Sequence, residues 1–227
     1  MKILALETTE RIGSLAIHDG DKLLDEKSLD AGQRTAQSLA PGVKTLLAEV
    51  GWAVKDLDLV AVTIGPGSFT GLRIGVTTAK TLAYAAGGKV LGLDTLEVVA
   101  AQTPTEFDRV SVAIDAQRGE VVAGTFTRDK AGHFDWETPA QLLPAEAWLS
   151  SLAAGTAVSG PIVRRLLDQV PVGLTVVKES HRIPRAATVA ELAARAYREG
   201  RRDDLWQLAP KYSRRSAAEE RWEERHS

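Results

Sequence analysis

The chain has 227 residues, enough for one large domain or two smaller lobes. With 44% hydrophobic and 26% charged residues it falls in the globular range, and a net charge of −2 argues against gripping nucleic acid mainly by charge. Zero cysteines exclude a disulfide frame and a thiolate metal site. The opening "MKILALETTE" is too short in apolar residues for a signal peptide, and no run approaches the roughly 18 apolar residues of a membrane helix. The expectation is a soluble cytoplasmic protein with no membrane contact.

In chain order, "ILAL" (3–6), "SLAI" (14–17) and "KLLDEKSL" (22–29) predict an antiparallel meander, with turns at "ETTERIG" and "HDGD". Leu39, Val43, Leu46, Leu47 and Val50 recur at helical spacing and predict an amphipathic helix, with Pro41 as a favoured first-turn residue. "LVAVTI" (59–64) reads as a strand buried on both faces. A helix follows over 70–86, then a strand at 89–93. A helix over 96–102 is capped by Asp94 or Thr95.

The pattern then starts again. "VSVAI" (110–114), "DAQRG" and "EVVAGTF" (120–126) repeat the order strand, acid, polar turn, glycine, strand. Glu7 and Asp115 hold equivalent places, as do Gly13 and Gly119. Beyond this, "PAEAWLSSLA" and "SGPIVRRLLDQV" predict helical stretches and "GLTVV" (173–177) a strand. Thr188 and Glu191 form a capping-box pattern for a last helix ended by Gly200. The tail over 214–227 is densely charged and reads as solvated. Trp52, Trp136, Trp148 and Trp206 read as packing residues. Arg73 and Arg118, beside glycines, are candidates to face a phosphate.

The densest glycine stretch is "GPGSFTGLRIG" (65–75). A Walker loop needs a lysine after its last glycine, but Leu72 follows Gly71. The dinucleotide fingerprint needs Gly-x-Gly-x-x-Gly, and Gly65-x-Gly67-x-x-x-Gly71 is one residue too long. Gly71, Gly75, Ala79 and Ala83, four apart, make a nearly bare stripe on one helix face. Such a stripe admits another backbone, either of the chain's own sheet or of a partner's helix.

"ILALETT", "DLDLVAVTIGPGSFTGLRIG", "GLDTLE", "AIDAQRGEV" and "PKYSRRSAAE", in this order, resemble the bacterial TsaB (YeaZ) family. The older label for that family is glycoprotease-like, or peptidase M22. The resemblance runs from residue 1 to about residue 220. It implies an α/β fold, the duplicated actin-like ATPase (ASKHA) fold, with two lobes that each hold a mixed sheet and flanking helices. The expected division is 1–105 for the first lobe with the partner helices and 106–227 for the second lobe and tail. The final segment has the option of returning to the first lobe.

The resemblance further implies a non-catalytic accessory subunit for threonylcarbamoyladenosine synthesis on ANN-decoding tRNAs. Its implied partners are a paralogous TsaD-like synthase subunit, a TsaE-like ATPase and, when alone, a second copy; tRNA is met through the complex. No cofactor is firmly implied, with ATP or ADP expected only at a partner interface. The chain departs from the family pattern at Glu7, where the usual acid is Asp, and at Thr35, where a histidine is common. Leu39, Val43, Leu46, Leu47, Gly71, Leu72, Gly75, Ala79 and Ala83 are the expected partner interface. Glu7, Thr8, Gly65, Gly67, Ser68 and Asp115 are the expected vestige of a nucleotide site.

No catalytic or metal residues are expected. His18, His133, His181 and His226 include no pair three to five residues apart, and no Gly-x-Ser-x-Gly elbow is present. The alternatives are an ATP phosphotransferase of the same fold that uses Glu7 and Asp115, and, more distantly, an M22-type metalloprotease.

Overall fold

The computed structural model describes residues 1–214. Apart from Arg214, the charged tail lies outside the described residues. Among the described residues, ten strands form two five-stranded sheets of one topology. In the first, β1 (Lys2–Glu7), β2 (Ser14–Asp19) and β3 (Lys22–Ser28) form an antiparallel meander. β4 (Leu59–Gly65) then pairs parallel to β1, and β5 (Lys89–Asp94) parallel to β4. The second repeats this with the meander β6 (Arg109–Asp115), β7 (Glu120–Arg128) and β8 (Phe134–Pro144). β9 (Ala157–Ser159) lies parallel to β6, and β10 (Thr175–Val176) parallel to β9. Glu7 and Asp115 are the last residues of β1 and β6, so the faint repeat in the sequence corresponds to a duplicated actin-like α/β fold.

Alternation along the strands divides the first core into two layers. Leu4, Leu6, Leu15, Ile17, Val60 and Val62 face α1 (Thr35–Glu49) and α2 (Phe69–Ala86). Ile3, Ala5, Ala16, Leu59, Ala61 and Leu91 face α6 (Ala186–Arg198). Both faces are covered, which is why β4 reads as an unbroken apolar run. The second sheet lies between α3 (Thr95–Ala101) on one side and α4 (Ala145–Ser151) with α5 (Val163–Leu166) on the other. Asp94 caps α3, accepting the Leu96 N–H at 2.9 Å.

Four expectations need correction. α1 begins at Thr35, not at Pro41, which lies inside it on the exposed side. Buried Ser38 and Leu39 fix the first turns, and the Gln37 side chain accepts the Arg34 N–H at 3.3 Å. These anchors outweigh the one backbone hydrogen bond that Pro41 cannot donate. The strands β8 and β9 were not foreseen. β8 is an edge strand that tolerates Pro139, where the register with β7 shifts between Ala123 and Thr125.

The third correction concerns α6, which is not capped by Thr188, now buried within its first turn. Its first donors are taken by the first sheet: Ala186 N–H by Ser14 Oγ (2.9 Å) and Ala187 N–H by Glu26 Oε1 (3.0 Å). Last, α6 covers the first sheet although it falls within the expected second lobe, 106–227. The segment after it also stays on the first lobe. Asp203 accepts the Gly92 N–H (2.8 Å), Lys80 donates to the carbonyls of Trp206 and Leu208, and Lys211 N–H donates to the Ile64 carbonyl (2.7 Å).

Candidate functional site

A cleft of about 790 Å³ opens where the two meanders meet. Its walls are the loop after β1 (Thr9, Glu10, Arg11), the β4–α2 loop (Gly67, Ser68, Phe69), the β6–β7 turn (Asp115 to Arg118) and the returning segment (Tyr212 to Arg214). Ser68 caps α2, its Oγ accepting the Gly71 N–H at 3.2 Å. Asp115 takes the Gln117 N–H (2.8 Å) on one oxygen and Arg165 (2.6 Å) on the other. Gln117 and Arg118 both have positive φ, a tight-turn geometry that usually selects Asn or Gly.

The structure divides the six residues expected to form a nucleotide site. Gly67, Ser68 and Asp115 line the cleft, while Glu7, Thr8 and Gly65 lie behind it. Glu7 is fully buried. Its Oε1 accepts the Thr9 N–H at 2.7 Å and the Thr9 hydroxyl, with Thr63 Oγ1 at 3.5 Å, while Oε2 has no partner among the described residues. Burial pushes its carboxyl up to about 7 against the Thr9 hydrogen bonds. The longer side chain thus ties down the loop after β1 instead of presenting an acid to the cleft.

Glu10 is the acid the sequence reading missed. Burial and then the Asp115 carboxylate raise it to about 7, with Arg164 opposing. Only its place in the loop after the first meander strand marks it in the sequence. Arg73 is committed within the chain: its guanidinium lies 4.0 Å over the Phe69 ring, and its Nε donates to Tyr212 Oη at 2.9 Å. Arg118 lines the cleft, and Arg214 forms an ion pair with Glu120 of the second lobe. Among the described residues, no group of three or more His, Asp or Glu side chains is placed to hold a metal ion.

The expected partner residues are also relocated. Gly71, Leu72, Gly75, Ala79 and Ala83 are buried within the chain, as are Leu39, Val43, Leu46 and Leu47. A Cβ on Gly71 would fall within 3.0 Å of the Thr8 carbonyl oxygen, and one on Gly75 within 3.0 Å of Thr8 Oγ1. Thr8 Oγ1 in turn donates to the Gly71 carbonyl at 2.9 Å. The bare stripe therefore admits the chain's own β1–loop backbone, not a partner helix. α2 offers solvent its other face: Thr70, Arg73, Thr77, Thr81, Tyr84 and Ala85. Beside it an apolar groove of about 340 Å³ runs between α1 and α2, with Val43 and Leu47 in its floor and Trp52, Thr78 and Leu82 in its walls.

Comparison with known proteins joins these features. The family model described as "TsaD: tRNA N6-adenosine threonylcarbamoyltransferase" matches residues 29–154. The protein named tRNA threonylcarbamoyladenosine biosynthesis protein TsaB in Bacillus subtilis is 33% identical over 152 residues, covering 67% of this chain and 66% of the relative. The Escherichia coli protein of that name is 34% identical over 148 residues, or 64% of each chain. The matched region thus spans just under two thirds of these relatives. The solved structure of YeaZ from Pseudomonas aeruginosa superposes with a TM-score of 0.80 at 28% identity, covering 93% of this chain and 99% of that one. The chain belongs to the TsaB (YeaZ) family, within the wider family described by the TsaD model.

Proposed function

We propose that this chain is a non-catalytic accessory subunit in threonylcarbamoyladenosine synthesis on tRNA, and that it docks a TsaD-like synthase subunit with the outer faces of α1 and α2. The observation that carries this reading is the open apolar groove between those helices. It leaves half-buried Trp52, Thr78 and Leu82 within reach of a partner, over a floor that Val43 and Leu47 close. The relatives' names supply the pathway. The seal around Glu7 supports a structural role, because this acid does not stand open to a phosphate-bound cation, while Asp115 in the cleft wall is engaged by Arg165. In this reading a TsaE-like ATPase and tRNA meet the assembled complex, a nucleotide binds only at a subunit junction, and the isolated chain pairs with itself through the same helices.

The test is complementation. Cells lacking this chain should recover threonylcarbamoyladenosine with the wild type but not with Thr78→Arg, which places a charge in the groove wall. The purified variant should melt like the wild type and fail to co-elute with the TsaD-like subunit. Normal modification and normal co-elution by Thr78→Arg would refute the docking face. Threonylcarbamoyl transfer by the isolated chain would refute the accessory role.

A further inference from the structure

Tyr84 and Trp206 are 67% and 73% exposed, and their rings meet edge to face at 5.7 Å. The backbone of Trp206 is nevertheless held firmly. Its backbone N–H donates to Asp204 Oδ1 at 2.7 Å, and Lys80 Nζ donates to its backbone carbonyl and to that of Leu208, each at 3.0 Å. Leu205 and Leu208 on either side pack against the core of the first lobe. These bonds order the backbone that presents the indole, and among the described residues the one ring contact of the indole is the Tyr84 edge. An indole presented this way keeps its apolar area in water without internal return, which suits an interface anchor.

The location of this pair specifies what it serves. Successive residues on α2 turn by 100°. Thr78 and Leu82 therefore border the groove, half-buried Ile74 lies beside them, Thr81 and Thr77 cross the exposed ridge, and Tyr84 lies on the far side. The groove and the aromatic pair bound one continuous face. α2 contains no acidic residue, and its two cations, Arg73 and Lys80, are both engaged inside the chain. The α2 half of the face therefore selects a partner by apolar packing, and the charge at the groove comes from exposed Lys44 of α1. The TsaD family model matches residues 29–154, which include both α1 and α2. A subunit built on that model has a helix pair of the same kind to lay against this one.

We propose that Trp206 and Tyr84 anchor the TsaD-like subunit on this face, with Lys80 as the residue that positions Trp206. The proposal rests on the α1/α2 docking reading above. Its test is titration of the full-length chain with the purified TsaD-like subunit. Trp206→Ala and Tyr84→Ala should each weaken Kd by at least about tenfold, with the isolated variants melting like the wild type. Lys80→Met should weaken binding and shift the indole emission, and Lys80→Arg should restore both.

If both aromatic variants bind like the wild type while Thr78→Arg does not bind, the anchor is wrong and the docking reading stands. If none of these three variants changes affinity, both are wrong. If Trp206→Ala separates a pair of identical chains but leaves affinity for the TsaD-like subunit unchanged, the occupant is a second copy and the proposal is overturned.

Discussion

Replacing Glu7 with Gln tests whether the buried carboxyl is a structural tie that depends on a proton. In the unfolded chain the group titrates at 4.5, and burial raises it to about 7 in the fold. Between those values the folded state holds a proton that the unfolded state has released. Stability is therefore fully present below pH 4.5 and is lost as pH rises through 7. About 2.5 pH units at about 1.36 kcal/mol each give a loss of about 3 kcal/mol. Gln keeps an oxygen for the Thr9 N–H and hydroxyl but cannot ionise. Its own cost, an amide where Oε2 has no partner, does not vary with pH. Asp94, raised to about 6, is present in both proteins and cancels in the difference; Glu10, raised to about 7, adds through its charge to the Glu7 shift and cancels only in part. Denaturant melts at pH 4.5 and pH 8 should show Glu7→Gln gaining about 3 kcal/mol on the wild type between the two, or roughly 6–12 °C in a thermal scan. A wild type–variant difference that is the same at both pH values would refute the reasoning.

Three further outcomes follow from the packing. Gly71→Ala should cost more than about 3 kcal/mol, seen as a lowered denaturation midpoint, because the obstacle is the Thr8 backbone and not a side chain that can swing away. Ala79→Arg should yield no folded monomer on gel filtration, since Ala79 is fully buried in the chain's own core. Glu26→Ala should cost about 1–2 kcal/mol and speed amide exchange at the start of α6. It removes the acceptor for Ala187 N–H and the ion-pair partner of Arg185.

The architecture was legible wherever a single pattern dictated a single structure. "LVAVTI" had to be buried on both faces, and strand–acid–turn–strand occurs twice because the fold does. The edge strand β8 was hidden because one exposed face and Pro139 blur its alternation. The α6 cap was hidden because its acceptors, Ser14 and Glu26, lie more than 150 residues away. The glycine–alanine stripe shows why a correct geometric reading can still misassign a residue. The spacing does mean close backbone approach, but sequence does not say whose backbone, and the nearer one, at Thr8, belongs to the chain itself. Trp206 failed in the opposite direction. Tryptophan is usually buried, and nothing local to "DDLWQL" reveals that Lys80, far earlier in the chain, holds it outside.

The return of α6 to the first sheet has a consequence for how the chain is made. β5 ends at Asp94, yet the helix that covers Ile3, Ala5 and Leu91 is complete only at Arg198. At ribosomal rates of about 5–20 residues per second, that face stays bare for roughly 5–20 seconds after the sheet has emerged. The second lobe must be synthesised during that interval, so the nascent first lobe is a natural client for chaperones. It also means that a fragment ending near residue 105 would carry a permanently uncovered apolar sheet, however complete it looks in the sequence.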